Sequence, residues 1–178
     1  MSKAPVLIVP GWGDSGPEHW QSLWEAAHAG FRRVLQRDWL APHCEDWVQT
    51  LRAAIDGAPA PPVVAAHSLG CHAVAHLAAR GGPAIHGALL VAPPDVETPE
   101  FPRVIQGFAP MSRTRLPFPS VMVASSDDPF ATIERSRELA AAWGSRLVEI
   151  GPRGHINTDA GFGPWPEGER LLDALRTA

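Results

Sequence analysis

Cysteine, strong net charge and long apolar runs are all scarce in this chain, and each shortage removes a class of protein. Its two cysteines, Cys44 and Cys71, are too few for a disulfide framework and stand in no metal-type spacing. A reduced, cytoplasmic setting is expected. No Lys/Arg-rich block occurs and the formal net charge is -4, so no basic field exists to gather nucleic acid or an anionic membrane. Nothing approaches the ~18 consecutive apolar residues of a membrane span, and the opening run VLIVP is too short for the apolar core of a secretory signal. A soluble, unexported protein is expected. Internal repeats are missing, as are the phosphate-loop patterns GxGxxG and GxxxxGK[ST], which leaves nucleotide binding little support.

What is present is periodic. The 19 prolines and 16 glycines imply many loops, but the apolar residues fall in blocks rather than low-complexity tracts, so the chain is globular. Its 178 residues are most simply one domain, residues 1–178. Short unbroken apolar runs recur: VLIVP (6–10), VVAAH (63–67), ALLVA (88–92), VMVAS (121–125) and LVEI (147–150), with FRRVL (31–35) a weaker candidate for an edge. Runs without alternation suit strands covered on both faces. Helical patterns lie between them. Trp20, Leu23, Trp24 and Ala27 share a face, with Ser15 and Glu18 in capping-box positions. Trp47, Val48, Leu51 and Ile55 mark a second helix, and residues 69–80 a third. Residues 132–143 and 166–176 mark the last two. Alternating strands and helices predict an α/β fold: a three-layer α/β/α sandwich around a six-stranded parallel sheet of order 2-1-3-4-5-6, with no large lid domain. The stretch from Pro93 to Pro119 has no clear period. It follows a strand's C-terminal end, where ligands of open α/β sheets bind, and reads either as a small cover over the site or as a surface loop with a short helix.

The segment AAHSLG places Ser68 between an apolar strand and a helical pattern, with small residues, Ala66 and Gly70, two positions either side. Such a turn brings backbone and helix too close for larger side chains. An ordinary helix-capping serine would look similar locally, but this one falls at the centre of the expected sheet. A serine hydroxyl needs a base, and the base needs a carboxylate to hold its tautomer. Among eight histidines, His155 lies beyond the later strands in the glycine-rich GPRGHINTDAG, so it is the candidate base. ASSDDPF offers Asp127 and Asp128. Pro129 biases Asp128 toward extended backbone at the strand end, which favours Asp128 and leaves Asp127 as its rival, with Asp95 as a fallback. Oxyanion donors are expected from the backbone N–H of Leu69 and from that of Trp12 in PGWGDSG, at about 3 to 4 kcal/mol each in the transition state. Gly11, His67, Phe130, Phe162 and Trp165, together with Trp12, are candidates for a substrate pocket. His72 and His76 share a helix face, yet HExxH needs a glutamate between them and no third ligand is evident, so no metal is expected.

With these residues placed, the sequence resembles the retinoblastoma-binding-protein-9-like (YdeN-type) small serine hydrolases of the α/β-hydrolase superfamily. The matching words are VPGWGDSGPEHW, AHSLG, SSDDPF and GHINTDAGFGPWPEG, which span nearly the whole chain in order. The resemblance implies a Ser68, Asp128, His155 triad, no cofactor, and hydrolysis of carboxylic esters. The expected reaction is cleavage of a small ester through an acyl-enzyme, with a small molecule as partner. Peptide cleavage is not expected, because no acidic subsite for a substrate amine is visible. The alternative is a binding or regulatory module on a hydrolase scaffold. The same serine could serve an acyltransferase or a lyase, whereas a dehalogenase would carry aspartate at this turn.

Overall fold

The computed structural model describes residues 3–177, and along them strands and helices alternate. Six strands, β1 (Val6–Val9), β2 (Phe31–Arg33), β3 (Val63–His67), β4 (Gly87–Val91), β5 (Ser120–Ala124) and β6 (Arg146–Glu149), form one parallel sheet in the order 2-1-3-4-5-6. The helices between and after them are α1 (Trp20–Ala27), α2 (Cys44–Asp56), α3 (Leu69–Ala79), α4 (Ile133–Trp143) and α5 (Pro166–Arg176). The chain starts near the middle, steps outward to β2, and returns to lay β3 on the other side of β1. That reversal opens a crevice beyond the C-terminal ends of β1 and β3.

Alternation along each strand divides the core in two. Leu7, Val9, Val64, Ala66, Leu90 and Met122 face a cluster completed by Trp47, Leu51, Val74, Leu77, Leu139 and Trp143 of α2, α3 and α4. Val6, Ile8, Val63, Ala65, Leu89, Val91 and Val123 face the other side, where Trp20 and Trp24 of α1 meet Leu172 and Leu175 of α5. Each Val, Leu, Ile or Met among them stabilises the fold by about 1.5 to 3 kcal/mol relative to leaving it in water. Central strands buried on both faces explain their unbroken apolar runs. The edges differ: β2 is Phe-Arg-Arg and β6 is Arg-Leu-Val-Glu, charged enough to discourage pairing with another sheet.

One helix start differs from expectation. Ser15 and Glu18 do not form a capping box; α1 begins at Trp20, with His19 as its cap, Nδ1 accepting from the Gln21 N–H at 3.2 Å. Residues before it are committed elsewhere, because the Arg33 guanidinium binds the Asp14 carboxylate and the Ser15 carbonyl. Ser15 instead donates its hydroxyl to Gln21 Oε1 at 2.6 Å. Gln21 is fully buried and its amide donates to the carbonyls of Val9 and Ala65 at 3.1 and 3.0 Å, fastening α1 across the ends of β1 and β3.

Candidate active site

Ser68 leaves β3 at φ 53° and ψ -126°, a conformation that residues with a side chain rarely adopt, and α3 begins at the next residue. The turn can form because its neighbours lack side chains. A Cβ on Gly70 would sit 2.5 Å from the Val9 carbonyl and 2.7 Å from that of Pro10. A Cβ on Gly11 would meet the Ser68 Cβ at 2.8 Å and the Leu69 nitrogen at 3.3 Å. The loop after β1 therefore lies directly against the serine. Leu69 is the first residue of α3, so its N–H has no partner within the helix. The backbone N–H of Trp12 has no hydrogen-bond partner among the described residues, although its indole N–H donates to the Leu40 carbonyl at 3.0 Å, while the backbone N–H groups of Gly13 and Asp14 bind the Trp39 and Gly11 carbonyls.

His155 meets the serine from the loop after β6. Its Nε2 lies 2.9 Å from Ser68 Oγ, and its Nδ1 lies 2.9 and 3.0 Å from the two Asp128 oxygens. Both members of the second pair are buried, with side chains only 9 % and 3 % exposed, so their contact is little screened. The Phe130 N–H donates to Asp128 Oδ1 at 2.9 Å and fixes the carboxylate further. Asp127 turns away: its Oδ1 accepts from the Ser125 hydroxyl at 2.8 Å and the Gly154 N–H at 2.7 Å. Those bonds, the hydroxyl first, hold its carboxyl below the usual range. The fallback, Asp95, is not near the imidazole; it accepts from Arg135 Nε at 2.8 Å and the Glu97 N–H at 3.0 Å.

Further bonds clamp the same loop. His67 Nε2 lies 2.9 Å from the His155 carbonyl, and burial holds this imidazole neutral, its pKa well below the ordinary value. It is therefore the donor. Trp20 Nε1 donates to the Ile156 carbonyl at 3.0 Å. The His19 ring packs 4.8 Å from that of His67, and burial, with Arg33 nearby, lowers it to about 4. The sequence places His19 on the first helix without a role, and neither it nor Trp20 carries a local signal for contact with a loop more than 130 residues away.

Two cavities open on Ser68. An apolar slot of about 200 Å³ is walled by Trp12, Leu69, Pro94, Phe101, Ile105 and Phe130. A wider polar cleft of about 470 Å³ is walled by Gly11, His19, His67 and Asn157, among others. Asp14, Glu18 and Asp159 also border it, with the Asp14 carboxylate paired to Arg33. Of the expected pocket residues, Gly11, Trp12, His67 and Phe130 line these cavities; Phe162 and Trp165 do not. Trp165 stacks on Trp24 at 5.9 Å and meets Trp20 and Phe162 edge-on, and this aromatic cluster seals the α1/α5 side of the core. His72 and His76 bind the carbonyls of Pro94 and Phe108 through Nε2 at 2.7 and 3.0 Å, so they pin the 93–119 segment to α3.

A serine at a strained strand-to-helix turn, beneath a parallel sheet of this order, defines an α/β hydrolase. The chain belongs to the serine hydrolase family, whose pattern it matches over residues 6–174. A YdeN-like hydrolase of Pectobacterium atrosepticum is 35% identical, with a TM-score of 0.87 over 98% of this chain and 91% of that one. The ydeN gene product of B. subtilis is 24% identical, with a TM-score of 0.77 over 98% of this chain and all (100%) of the other. The monoacylglycerol lipase of Paleococcus ferrophilus shares the fold at 15% identity, with a TM-score of 0.72 over 98% of this chain and 96% of its own. No curated protein matches the sequence significantly. Among the described residues, no helix is long and apolar enough to cross a membrane.

Proposed function

We propose that the protein hydrolyses small carboxylic esters through an acyl-enzyme on Ser68. The observation that carries this reading is the unbroken hydrogen-bond chain from Ser68 Oγ through the His155 ring to the Asp128 carboxylate. Oγ attacks the ester carbonyl as His155 Nε2 takes its proton, and Asp128 keeps Nδ1–H directed and stabilises the imidazolium. The carbonyl oxygen gathers negative charge between the N–H groups of Leu69 and Trp12. When the intermediate collapses, the C–O bond to the alcohol breaks and His155 returns the proton to the departing oxygen. Water then repeats the sequence in reverse and frees the acid.

The two cavities divide the substrate. The slot suits a hydrocarbon acyl chain, and the polar cleft suits an alcohol that must be released to water. His67 acts through His155: by holding the His155 carbonyl it sets where the ring stands, which makes it a positioning residue. A stopped-flow record of p-nitrophenyl butanoate hydrolysis tests the mechanism. A burst of nitrophenolate equal to the enzyme concentration, followed by slower turnover, is expected when the acyl-enzyme accumulates. A folded protein that releases no nitrophenolate is a binding module instead.

A further inference from the structure

The slot beside Ser68 has a neighbour. A second cavity of about 470 Å³ adjoins it, bordered by Asp95, Thr98, Glu100, Asp128, Ala131 and Thr132. Three residues, Phe101, Pro102 and Phe130, line both spaces. They stand between the two spaces, whose volumes together are more than three times that of the slot alone.

We propose that the Phe101–Pro102–Phe130 partition is the acyl-length gate of the enzyme, and that its substrates are esters of short acids. This rests on the esterase reading above and names the substrate class within it. The size argument is direct. An apolar cavity of roughly 150 Å³ accommodates benzene, so a slot of about 200 Å³ takes an acyl group of about that bulk or slightly more. A butanoyl chain fits; an octanoyl chain meets the two phenyl rings. The second cavity has apolar walls of its own in Pro129 and Ala131, so removing a ring joins two spaces that can both take hydrocarbon.

The partition is built so that its rings can be removed without dismantling its frame. Backbone bonds hold each residue: the Phe101 N–H donates to the Thr98 carbonyl at 3.1 Å, and the Ile105 N–H to that of Pro102 at 3.0 Å. Phe130 is stitched by its own N–H to Asp128 Oδ1 at 2.9 Å, and its carbonyl accepts from the Asp95 N–H at 2.8 Å. The two rings do differ in one respect. Phe130 lies edge-on to the His155 ring at 4.6 Å and is 51% exposed, so its loss also touches the base. Phe101 is half-buried against the α2/α3/α4 side of the core and borders the slot without touching the Asp128–His155 pair.

The test compares kcat/KM for p-nitrophenyl acetate, butanoate and octanoate in the unmodified protein, Phe101→Ala, Phe130→Ala and Ile105→Trp. A ratio between two esters is read on folded enzyme alone, so partial unfolding of a variant cancels. The unmodified protein should prefer butanoate to octanoate by about tenfold or more, since each poorly placed methylene costs at least that much discrimination. Phe101→Ala and Phe130→Ala should each raise the octanoate-to-butanoate ratio about tenfold. Ile105→Trp, which fills the slot instead, should lower butanoate relative to acetate. If butanoate is hydrolysed but neither alanine variant moves the octanoate ratio, the gate is refuted while the esterase reading stands. If the unmodified protein hydrolyses none of the three esters, both are refuted together.

Discussion

The loop that carries His155 and the segment that covers the slot both border Ser68, yet polar bonds hold the first far more densely than the second. Residues 150–157 are fastened by polar bonds from three parts of the fold: from the turn after β5, Asp127 to the Gly154 N–H and Ser125 to the Arg153 N–H; from β3, His67 to the His155 carbonyl; and from α1, Trp20 to that of Ile156. The 93–119 segment forms no helix or ladder strand. Its polar ties are scattered along 27 residues, from Pro94 and Phe108 to two α3 histidines, Asp95 to Arg135 and Phe130, Gln106 to Pro42 and Cys44, and Ser112 and Leu116 to Trp143, with buried Phe108, Met111 and Leu116 packed between them. The difference separates two jobs. Proton transfer needs placement within a fraction of an ångström, which a cage of directional bonds supplies. Fitting an acyl chain needs only a surface of the right volume, which apolar contacts supply and single substitutions can reshape.

Breaking the caged side at its carboxylate should have the largest effect. Asp128→Asn is expected to lower kcat by roughly 10⁴ by favouring the wrong imidazole tautomer, whereas Asp127→Asn should cost only about tenfold, through a looser loop. Turnover of p-nitrophenyl butanoate by the two variants checks this, and the reverse order would exchange their roles.

Acid should weaken both sides at once. His19 and His72 have folded pKa values lowered to about 4 by burial, and His67 is lowered too, so each is held neutral where the unfolded chain would take up a proton. Between the unfolded value near 6.5 and about 4, the unfolded state binds more protons, so stability is complete above the upper limit and falls as pH drops toward the lower. Urea melts at pH 7.5 and pH 4.5 should differ by on the order of a few kcal/mol. A flat profile would mean that these imidazoles are hydrated.

Gly11→Ala tests the close approach of the β1 loop to the serine. Displacement of Ser68 by the added methyl should lower kcat by about 10², with little change in KM. His67→Ala removes the donor to the His155 carbonyl, so kcat should fall about tenfold and the pH profile of kcat should change shape; a purely structural His67 would shift the melting temperature alone. The smallest effect belongs to the cover. Arg113→Ala breaks an exposed pair with Glu97 and should leave both melting temperature and butanoate turnover unchanged.

Most of the architecture was legible because burial on both faces leaves a simple mark: unbroken apolar runs for β1, β3, β4 and β5, with glycines and prolines between them. That the side chains of Ser68, His155 and Asp128 meet was legible because each follows a strand end, and Pro129 set Asp128 apart from its neighbour. The start of α1 was not, since Ser15 fits a cap locally, whereas in the fold its hydroxyl is given to Gln21 and its carbonyl is taken by Ser22 and by Arg33, 18 residues away. Phe162 and Trp165 were misplaced for a similar reason. An aromatic residue in a loop beside a catalytic segment can face the pocket or the core, and what decides is the presence of Trp20 and Trp24 on a distant helix. Asp159 borders the same cleft as Asp14 and Glu18 only through the fold, with no local pattern to announce it.

The central claim is that Ser68 is activated by His155, and intact-mass analysis after exposure to a fluorophosphonate tests it most directly. The account predicts one adduct on the native chain and none on Ser68→Ala or His155→Ala. A folded native protein that gains no adduct, or a Ser68→Ala variant that gains the same one, would contradict it.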